Sequence, residues 1–470
     1  MTPSYDELAR ENERLRADND LLRRQLAALQ EKLDEALRLL GEARRASKRQ
    51  AAPFRKGPPR PDPKPPGRKS GGGHGKHGHR PPPPPEAVQQ TFDAPLPAAC
   101  PCCGGPVREH AVARQYQTEV PRRPVVRQFE VHLGSCLRCG QAVQGRHPLQ
   151  TSDPLGAAAS QLGPDAQAAV VQLNKEAGLS HGKVQACFRA LFGIELSRGA
   201  CAQVVLRAAR RLRGCYRQVR QAIAASGRIN ADETGWRVGG HPAWLHTWVG
   251  ERATCYAIDP HRDAGALQQV IGRDYDGVLG HDGLATYDRF KAASHQQCLG
   301  HLLRRLRELL ATATRGAVRL PRALIGLFTA AIHRRNEHLA GKVTALELER
   351  SRDGDEERLL KLVRARRWVP AYETLCAHLH RHFAQWFTFL SEPEVEATNW
   401  PAEQALRPAV INRKVWGGNR TQAGAEAQAV LMSVWQTARR QGLAALDFVS
   451  QALRAFGNHL LPQPCLLASR

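Results

Sequence analysis

Three acidic residues stand in sequence contexts that suit a shared metal site: Asp232 in INADETGWRV, Asp282 in DGVLGHDGLATYD and Glu403 in NWPAEQALRP. They lie far apart in the chain, so only the fold can bring them together. Mg²⁺ takes oxygen ligands and keeps positions open for substrate phosphates, which makes three converging carboxylates a suitable ligand set. These residues therefore suggest metal-dependent chemistry on a phosphodiester backbone.

Each of the three acids also has a simpler interpretation. Asp232 could be a strand-end turn residue, and Asp282 could belong to an ordinary Asp-Gly turn. Glu403 and Arg407 are spaced i, i+4 and could form a surface ion pair worth ~0.2–0.5 kcal/mol. Asp274 and Asp276 are nearby alternatives to Asp282, whereas Glu233 would face the opposite side of the strand from Asp232.

A mixed α/β core over 227–440 would position the acids. Strand-like segments at 228–238, 243–250 and 254–259 precede a helix over 263–272 and a short apolar strand, GVLG, that leads into Asp282. This β-β-β-α-β order matches the first half of an RNase H-like fold, in which two aspartates on neighbouring strands lie side by side. A later helix would deliver Glu403, with Asn399 as N-cap and Pro401 in the first turn.

The charge of the chain indicates a polyanionic partner. The 470 residues include 68 Lys and Arg against 44 Asp and Glu, for a formal net charge of +24. Basic side chains displace condensed counterions from a nucleic-acid backbone. A solvated basic linker is the alternative, but Arg-rich stretches recur outside it, at 204–220, 303–315, 349–367 and 407–420.

Twelve cysteines include two Cys-x-x-Cys pairs, each followed by glycine: Cys100, Cys103, Cys136 and Cys139. This spacing predicts four thiolates around one tetrahedral Zn²⁺, a closed site with a structural or DNA-docking role. Cys102 is an alternative ligand, and a redox pair is the weaker interpretation. Alternating residues at 114–121 and 125–135 predict paired strands, and hence a zinc ribbon over 96–148.

Residues 1–46 predict a coiled-coil helix, followed by a basic Pro/Gly-rich linker at 47–95. The heptad register has apolar d positions and mixed a positions: Leu8, Leu15, Leu22, Leu29 and Ala36 at d, with Asn12, Asn19, Leu26, Leu33 and Leu40 at a. Asn at a favours a parallel two-stranded coil, so we expect a homodimer or a higher homo-oligomer. A helix packed on its own chain is the alternative, which the extended linker disfavours.

Residues 160–226 predict helices broken at Gly178, with Ser180 and Ser197 as N-caps. Two helices joined by a short turn in a basic chain suggest a helix-turn-helix DNA reader, with a plain helical connector as the alternative. No stretch approaches the ~20 apolar residues of a membrane span, and the charged N-terminus is unlike a signal peptide. We therefore expect a soluble, cytoplasmic protein associated with the nucleoid.

Four segments carry a resemblance beyond these local patterns: INADETGWRVGGHPAWLHTWVG, DGVLGHDGLATYDRF, QQCLGHLLRRLREL and NWPAEQALRPAVINRKVWGGNR with its continuation. They closely resemble the insertion-sequence 66 family of bacterial DDE transposases. The similarity extends to the coiled coil, the cysteine pairs and the segment ELSRGACAQVV. The chain departs from common family residues at Leu299, Trp400 and Gln404.

The resemblance implies a multidomain α+β protein with an RNase H-like catalytic core. It assigns Asp232, Asp282 and Glu403 as the catalytic triad for two Mg²⁺ or Mn²⁺ ions, with a helical insertion at about 310–395 and a C-terminal helix and tail at 441–470. It implies strand transfer on double-stranded DNA, at terminal inverted repeats and a target, with accessory transposition proteins as further partners. Basic side chains are candidates for phosphate contacts, with solvated helix faces as the alternative: His301, Arg304, Arg305, Arg407, Arg413 and Lys414.

Two other functions stay open at the level of the sequence. One is a catalytically inactive, zinc-containing DNA-binding regulator, and the other is a structure-specific nuclease on the same fold. The coiled coil and the predicted DNA-docking modules favour the transposase over the nuclease, whereas a regulator would share these modules.

Overall fold

A computed structural model describes residues 5–48, 81–118, 124–158, 160–313, 315–365, 370–457 and 461–467. The chain divides into two units, Met1–Glu119 and Val120–Arg470. Among the described helices, none is long and apolar enough to cross a membrane. Single-turn 3₁₀ helices occupy Pro85–Ala87, Gly156–Ala158, Tyr287–Arg289, Arg315–Val318 and Phe383–Gln385.

The first unit contains one long helix, α1 (Tyr5–Lys48), of 44 residues. Leucines of the heptad stripe stand exposed on it: Leu22 is 62%, Leu26 65% and Leu29 65% exposed. A partner helix covers such a row in a coiled coil, and that pairing stays a prediction. The linker predicted at 47–95 falls largely on residues 49–80, which lie outside the described residues.

A short antiparallel hairpin in the second unit brackets one cysteine pair: β1 (Leu133–Ser135) and β2 (Ala142–Gln144). The strand predicted at 114–121 is wrong over residues 114–118, and the one predicted at 125–135 is reduced to its last three residues. Val125 and Val126 are 75% and 90% exposed. Their alternating pattern therefore has no core to pack against, and a ladder forms only beside the cysteine turn.

Four helices precede the main sheet: α2 (Pro164–Val171), α3 (His181–Phe192), α4 (Arg198–Arg211) and α5 (Arg213–Ala224). A π-helical turn, Gln172–Glu176, extends α2, and the chain breaks at Gly178, where φ is +72°. The hydroxyls of Ser180 and Ser197 accept backbone N–H groups three residues ahead, at 3.4 and 3.0 Å. Both predicted N-caps are confirmed.

The main sheet has five strands: β3 (Arg228–Val238), β4 (His241–Val249), β5 (Thr254–Asp259), β6 (Val278–His281) and β7 (Ser294–Gln297). They lie in the order β5-β4-β3-β6-β7. The first three pair antiparallel, whereas β6 pairs parallel with β3 and β7 pairs parallel with β6. Helix α6 (Ala264–Ile271) connects β5 to β6. The predicted order of elements is confirmed.

Between β7 and the last acid lies a helical segment with its own core. Its helices are α7 (Leu299–Thr312), α8 (Arg319–Leu339), α9 (Ala345–Arg364), α10 (Pro370–Arg381) and α11 (Thr388–Ser391). Phe328 packs against Trp386 and Phe387 at the centre of this core. The helical segment expected between Asp282 and Glu403 is therefore present.

Three further helices follow: α12 (Trp400–Trp416), α13 (Gln422–Arg440) and α14 (Ala445–Gly457). Helices α12 and α13 pack against the sheet, whereas α14 packs against α2 and α13. Side chains alternate across a strand, so Ile229 and Ala231 join the large core formed with α4, α5, α13 and α14. The opposite face, with Trp236, packs against Leu406 of α12. The large core also contains residues of α2–α5, so the segments at 160–226 and 227–440 share one hydrophobic core.

A buried lysine lies where the π-helical turn meets α12 and α13. Lys175 is 4% exposed, and its ammonium donates to Gln428 Oε1 at 2.6 Å and lies 5.5 Å from the Trp416 ring centre. Burial lowers the pKa of Lys175 to about 7. Removing a charge from water in this way costs stability wherever the lysine is protonated.

We expect Lys175→Met to flatten the pH dependence of stability. Between about pH 7 and the usual lysine value of 10.5, the unfolded chain binds a proton that the folded chain has lost. The free energy of unfolding of the wild type therefore rises with pH through that window, by up to about 1.4 kcal/mol per pH unit. Urea unfolding across the window measures this slope, with exposed Lys183→Met as control. An unchanged slope in Lys175→Met would contradict the assignment.

Candidate metal-binding active site

Asp232 and Asp282 lie level with each other on neighbouring strands. In the parallel pairing of β3 and β6, Asn230 is opposite Gly280, and each aspartate stands two residues further along its strand direction. Adjacent strands are about 4.8 Å apart. Backbone N–H groups hold both carboxylates, since Asp232 Oδ1 accepts from the next residue at 2.9 Å and Asp282 Oδ1 accepts from Leu284 at 3.1 Å. The sheet thus brings the two predicted aspartates together.

Glu403 lies in the first turn of α12, and the start of that helix is fastened to β3. Asn399 occupies the predicted N-cap position, and its carbonyl accepts the Glu403 N–H at 3.0 Å. Its side chain makes no capping bond. Instead, its amide donates to the carbonyl of Ala231 at 2.8 Å and accepts from the Asn230 amide at 3.3 Å. The predicted side-chain cap is wrong because β3, beside Asp232, holds that amide.

A glycine in β6 makes room for this connection. A Cβ atom at Gly280 would lie 2.5 Å from Nδ2 of Asn230, far inside van der Waals contact. The missing side chain on β6 therefore lets Asn230 extend to Asn399. Gly280 of β6, Asn230 of β3 and Asn399 at the start of α12 therefore fit together sterically.

The three carboxylates lie close enough to influence one another electrostatically. Burial, together with the negative charges of Glu233, Asp282 and Glu403, raises the pKa of Asp232 to about 7, while a backbone hydrogen bond opposes the shift. Like charges within a few ångströms disfavour the ionised form. A divalent cation would offset that repulsion, and the all-oxygen donor set of Asp232, Asp282 and Glu403 fits Mg²⁺ or Mn²⁺.

The alternative acids are placed differently. Asp274 and Asp276 are exposed and precede β6, at the opposite end of the strand from Asp282. Glu233 faces away from Asp232 along β3, and its carboxylate accepts from Arg262 at 2.5 Å and from the Tyr287 hydroxyl at 2.9 Å. A buried acid that is paired in this way has a structural role in the sheet.

Two residues next to Glu403 were not assigned to the site by sequence reasoning. Cys298 precedes α7, and His301 stands three residues further on, so both lie on one side of that helix start. His301 Nδ1 is 3.8 Å from Glu403 Oε1, and ligand atoms of Cys298, His301 and Glu403 all lie within 4.8 Å of one another. His301 was predicted to contact DNA phosphates, whereas the structure brings it to an acid. The Cys-x-x-His spacing of Cys298 and His301 was the feature of the sequence that could have indicated metal ligands here.

The remaining basic candidates fall into two groups. Arg304 and Arg305 on α7 and Lys414 on α12 are exposed, as phosphate-binding residues must be. Arg407 is exposed and its guanidinium lies 5.7 Å from the Trp400 ring centre. Arg413 is half-buried and donates to the Thr234 hydroxyl at 3.0 Å and to the Gly235 carbonyl, so it fastens α12 to β3.

The two cysteine pairs have the same internal geometry. In each, the first cysteine's carbonyl accepts the glycine N–H four residues on at 2.8 Å, and that glycine has positive φ, +72° at Gly104 and +69° at Gly140. Backbone N–H groups lower the pKa of Cys100 and Cys136 in their own turns. Turns of this kind favour thiolates, the form that binds metal. The four-cysteine zinc site itself stays a prediction from sequence spacing.

Comparison with known proteins assigns the family. The model of the family described as "Transposase IS66 family" matches residues 159–427. The match covers more than half of the chain and includes Asp232, Asp282, Glu403 and the Cys-x-x-His segment. No curated protein matches the chain. Helices α2 to α12, the main sheet and the three acids thus fall within the matched region, and the chain belongs to the IS66 family of transposases.

Proposed function

We propose that the protein binds the terminal inverted repeats of an insertion sequence and catalyses Mg²⁺-dependent phosphodiester hydrolysis and strand transfer at the element ends. The observation that carries this proposal is the proximity of Asp232, Asp282 and Glu403 on one face of the sheet. The strand order β5-β4-β3-β6-β7, with three antiparallel and two parallel strands, supports an RNase H-like core. Membership of a transposase family supports the reaction type.

Asp232, Asp282 and Glu403 would hold the metal ions. When bound, two divalent cations supply Lewis-acid stabilisation of charge on the attacking and leaving oxygens of a phosphodiester. The protein contributes position: the paired strands keep two acids in register, and Asn399 keeps the helix of the third acid against β3. Such preorganisation means that little reorganisation is needed when the DNA backbone arrives.

DNA binding in this proposal uses several basic surfaces. Arg304, Arg305 and Lys414 would contact phosphates near the acids, and Arg407 would contribute from α12. The helix pair α3–α4 exposes a basic stripe away from its buried face, with Arg198, Arg207 and Arg210 exposed. A helix of this kind can enter a DNA groove. We propose that this helix pair docks the inverted repeats, together with a zinc ion bound by Cys100, Cys103, Cys136 and Cys139.

Subunit pairing through α1 completes the proposal. Joining two element ends to a target requires at least two catalytic subunits. The exposed leucines of α1 support a homodimer or higher homo-oligomer, because a single helix leaves them in water.

The active-site assignment predicts that a substitution at Asp232 abolishes DNA cleavage but leaves DNA binding intact. Asp232→Asn should lower Mg²⁺-dependent nicking of a duplex that carries the element ends by at least about 10³-fold, since it removes a metal ligand worth several kcal/mol in the transition state. Binding of the same duplex in a gel shift should persist. Asp274→Asn, an exposed acid before β6, is the matched control.

Each other outcome of this experiment has a definite meaning. Nicking by Asp232→Asn at the wild-type rate would overturn the site. A wild-type protein that binds without nicking would be a regulator. A protein that nicks but does not join pre-cleaved ends to a target would be a nuclease.

The raised pKa of Asp232 predicts how metal and pH act on stability. Without divalent cations the folded state holds a proton on Asp232 up to about pH 7, whereas the unfolded chain releases it near pH 4. The free energy of unfolding therefore falls as pH rises through that window. At pH values above about 8, Asp232→Asn in EDTA should melt a few degrees higher than the wild type.

Mg²⁺ should narrow this difference, because it binds only the folded wild-type site. At about 100 times its Kd it would add ~2.7 kcal/mol to the wild type and little to the variant. Thermal melts with and without Mg²⁺ measure both effects, with Asp274→Asn again as control. An equal Mg²⁺ shift in the wild type and Asp232→Asn would count against the metal assignment.

The coiled-coil prediction is tested by charge in the leucine stripe. Leu22→Lys combined with Leu29→Lys should convert the assembly to a lower oligomeric state, because buried lysines at two d positions cost several kcal/mol. Glu31→Lys, outside the stripe, should leave assembly intact. Light scattering of the full chain gives the molar mass. Unchanged mass in the double variant would place the subunit contact elsewhere.

A further inference from the structure

Cys298, His301 and Glu403 form a mixed-donor group beside the three-carboxylate site. Cys298 is 4% exposed, and its backbone N–H donates to the His281 carbonyl at 2.9 Å, which fixes it at the junction of β6 and α7. Its sulfur accepts the Asn399 N–H at 3.1 Å, at the start of α12. The group therefore lies where the two helices that flank the acids begin.

One atom of this group lacks a partner. His301 Nδ1 is buried and makes no hydrogen bond of normal geometry to a described residue; the neighbouring Cys298 thiol raises the pKa of the imidazole, and the 3.8 Å separation of Nδ1 from Glu403 Oε1 is too long for a hydrogen bond. A buried nitrogen left unpaired costs about 1–3 kcal/mol. A ligand that accepts the nitrogen lone pair would remove that cost.

We propose that Cys298, His301 and Glu403 bind a thiophilic transition-metal ion of the Zn²⁺ class, and that this ion competes with the metals of the carboxylate site for Glu403. Zn²⁺ binds sulfur at about 2.3 Å and nitrogen or oxygen at about 2.0–2.2 Å, so tetrahedral donors stand about 3.3–3.6 Å apart. Ligand atoms of the three residues already lie within 4.8 Å of one another. Side-chain rotations alone can close the remaining gap.

The donor types distinguish the two overlapping sites. Sulfur and imidazole select Zn²⁺ and its neighbours, whereas Mg²⁺ is held by oxygen ligands alone. Glu403 is the only one of the three acids within the mixed-donor group. Zinc held by Cys298 and His301 would turn Glu403 away from Asp232 and Asp282 and leave the carboxylate site with two acids. Metal binding by this group does not depend on the proposed transposase function, and only the competition rests on it.

Co²⁺ is the probe for binding, because cobalt–thiolate bonds absorb strongly in the near ultraviolet. The full chain is titrated with Co²⁺ alone, and the cobalt–thiolate equivalents are compared with those of Cys298→Ala and His301→Ala. The cysteine pairs at 100–103 and 136–139 contribute equally to all three proteins. We expect Cys298→Ala to lose one equivalent and His301→Ala to bind that equivalent at least about tenfold more weakly. Cys201→Ala, a buried cysteine of α4, is the control and should match the wild type.

Identical cobalt titrations for the wild type, Cys298→Ala and His301→Ala would overturn the proposal. His301→Ala keeps the measurement decisive if Cys298→Ala does not fold, since His301 is half-exposed. In a second arm, Zn²⁺ is added to Mg²⁺-dependent nicking, with each protein normalised to its own rate without Zn²⁺. Half-inhibition of His301→Ala should need at least about tenfold more Zn²⁺. A cobalt difference without any nicking by the wild type would retain the metal site and reject the proposed function.

Discussion

The side-chain amide of Asn399 is the connection on which the geometry of the site depends. It donates to the Ala231 carbonyl and accepts from the Asn230 amide, so it ties the start of α12 to β3 one residue from Asp232. Its backbone N–H reaches Cys298, and its carbonyl accepts from Glu403. The amide is 1% exposed, and buried hydrogen bonds of this kind lose little to competition with water. The position of the third acid follows from these bonds.

The carboxylates themselves work against this arrangement. Asp232 is buried beside other acids, which raises its pKa, so the folded chain holds together a group that repels itself above neutral pH. Apolar packing and hydrogen bonds elsewhere supply the attraction: Trp236 packs against Leu406, and Arg413 donates to Thr234 of β3. In the proposed function, a bound cation would stabilise a site built in this way, and the repulsion is confined to a few side chains.

Local patterns in the sequence predicted much of this fold. Strand alternation, the serine caps and the helical segment after Asp282 depend on neighbouring residues, and each is present. The strands predicted before β1 failed because alternation was present without a core to bury it. Other contacts join residues that are distant in the sequence. The Asn399 side chain bonds to Ala231, 168 positions away, and Cys298 lies close to Glu403 although more than a hundred positions separate them. Pairings over such distances follow from the sheet register, which the periodicity of one segment does not reveal.

The helical segment between the last two acids has a mechanical part in the site. Val278 at the start of β6 and Ala397, two residues before Asn399, both belong to the core of α7–α11. The N–H of Leu299 donates to the Ala397 carbonyl at 3.0 Å, so the beginning of α7 is bonded to the approach to α12. The strand that leads to Asp282 and the helix that carries Glu403 are thus packed against one hydrophobic cluster. Because cores are close-packed and resist deformation, this segment braces the separation of those two acids.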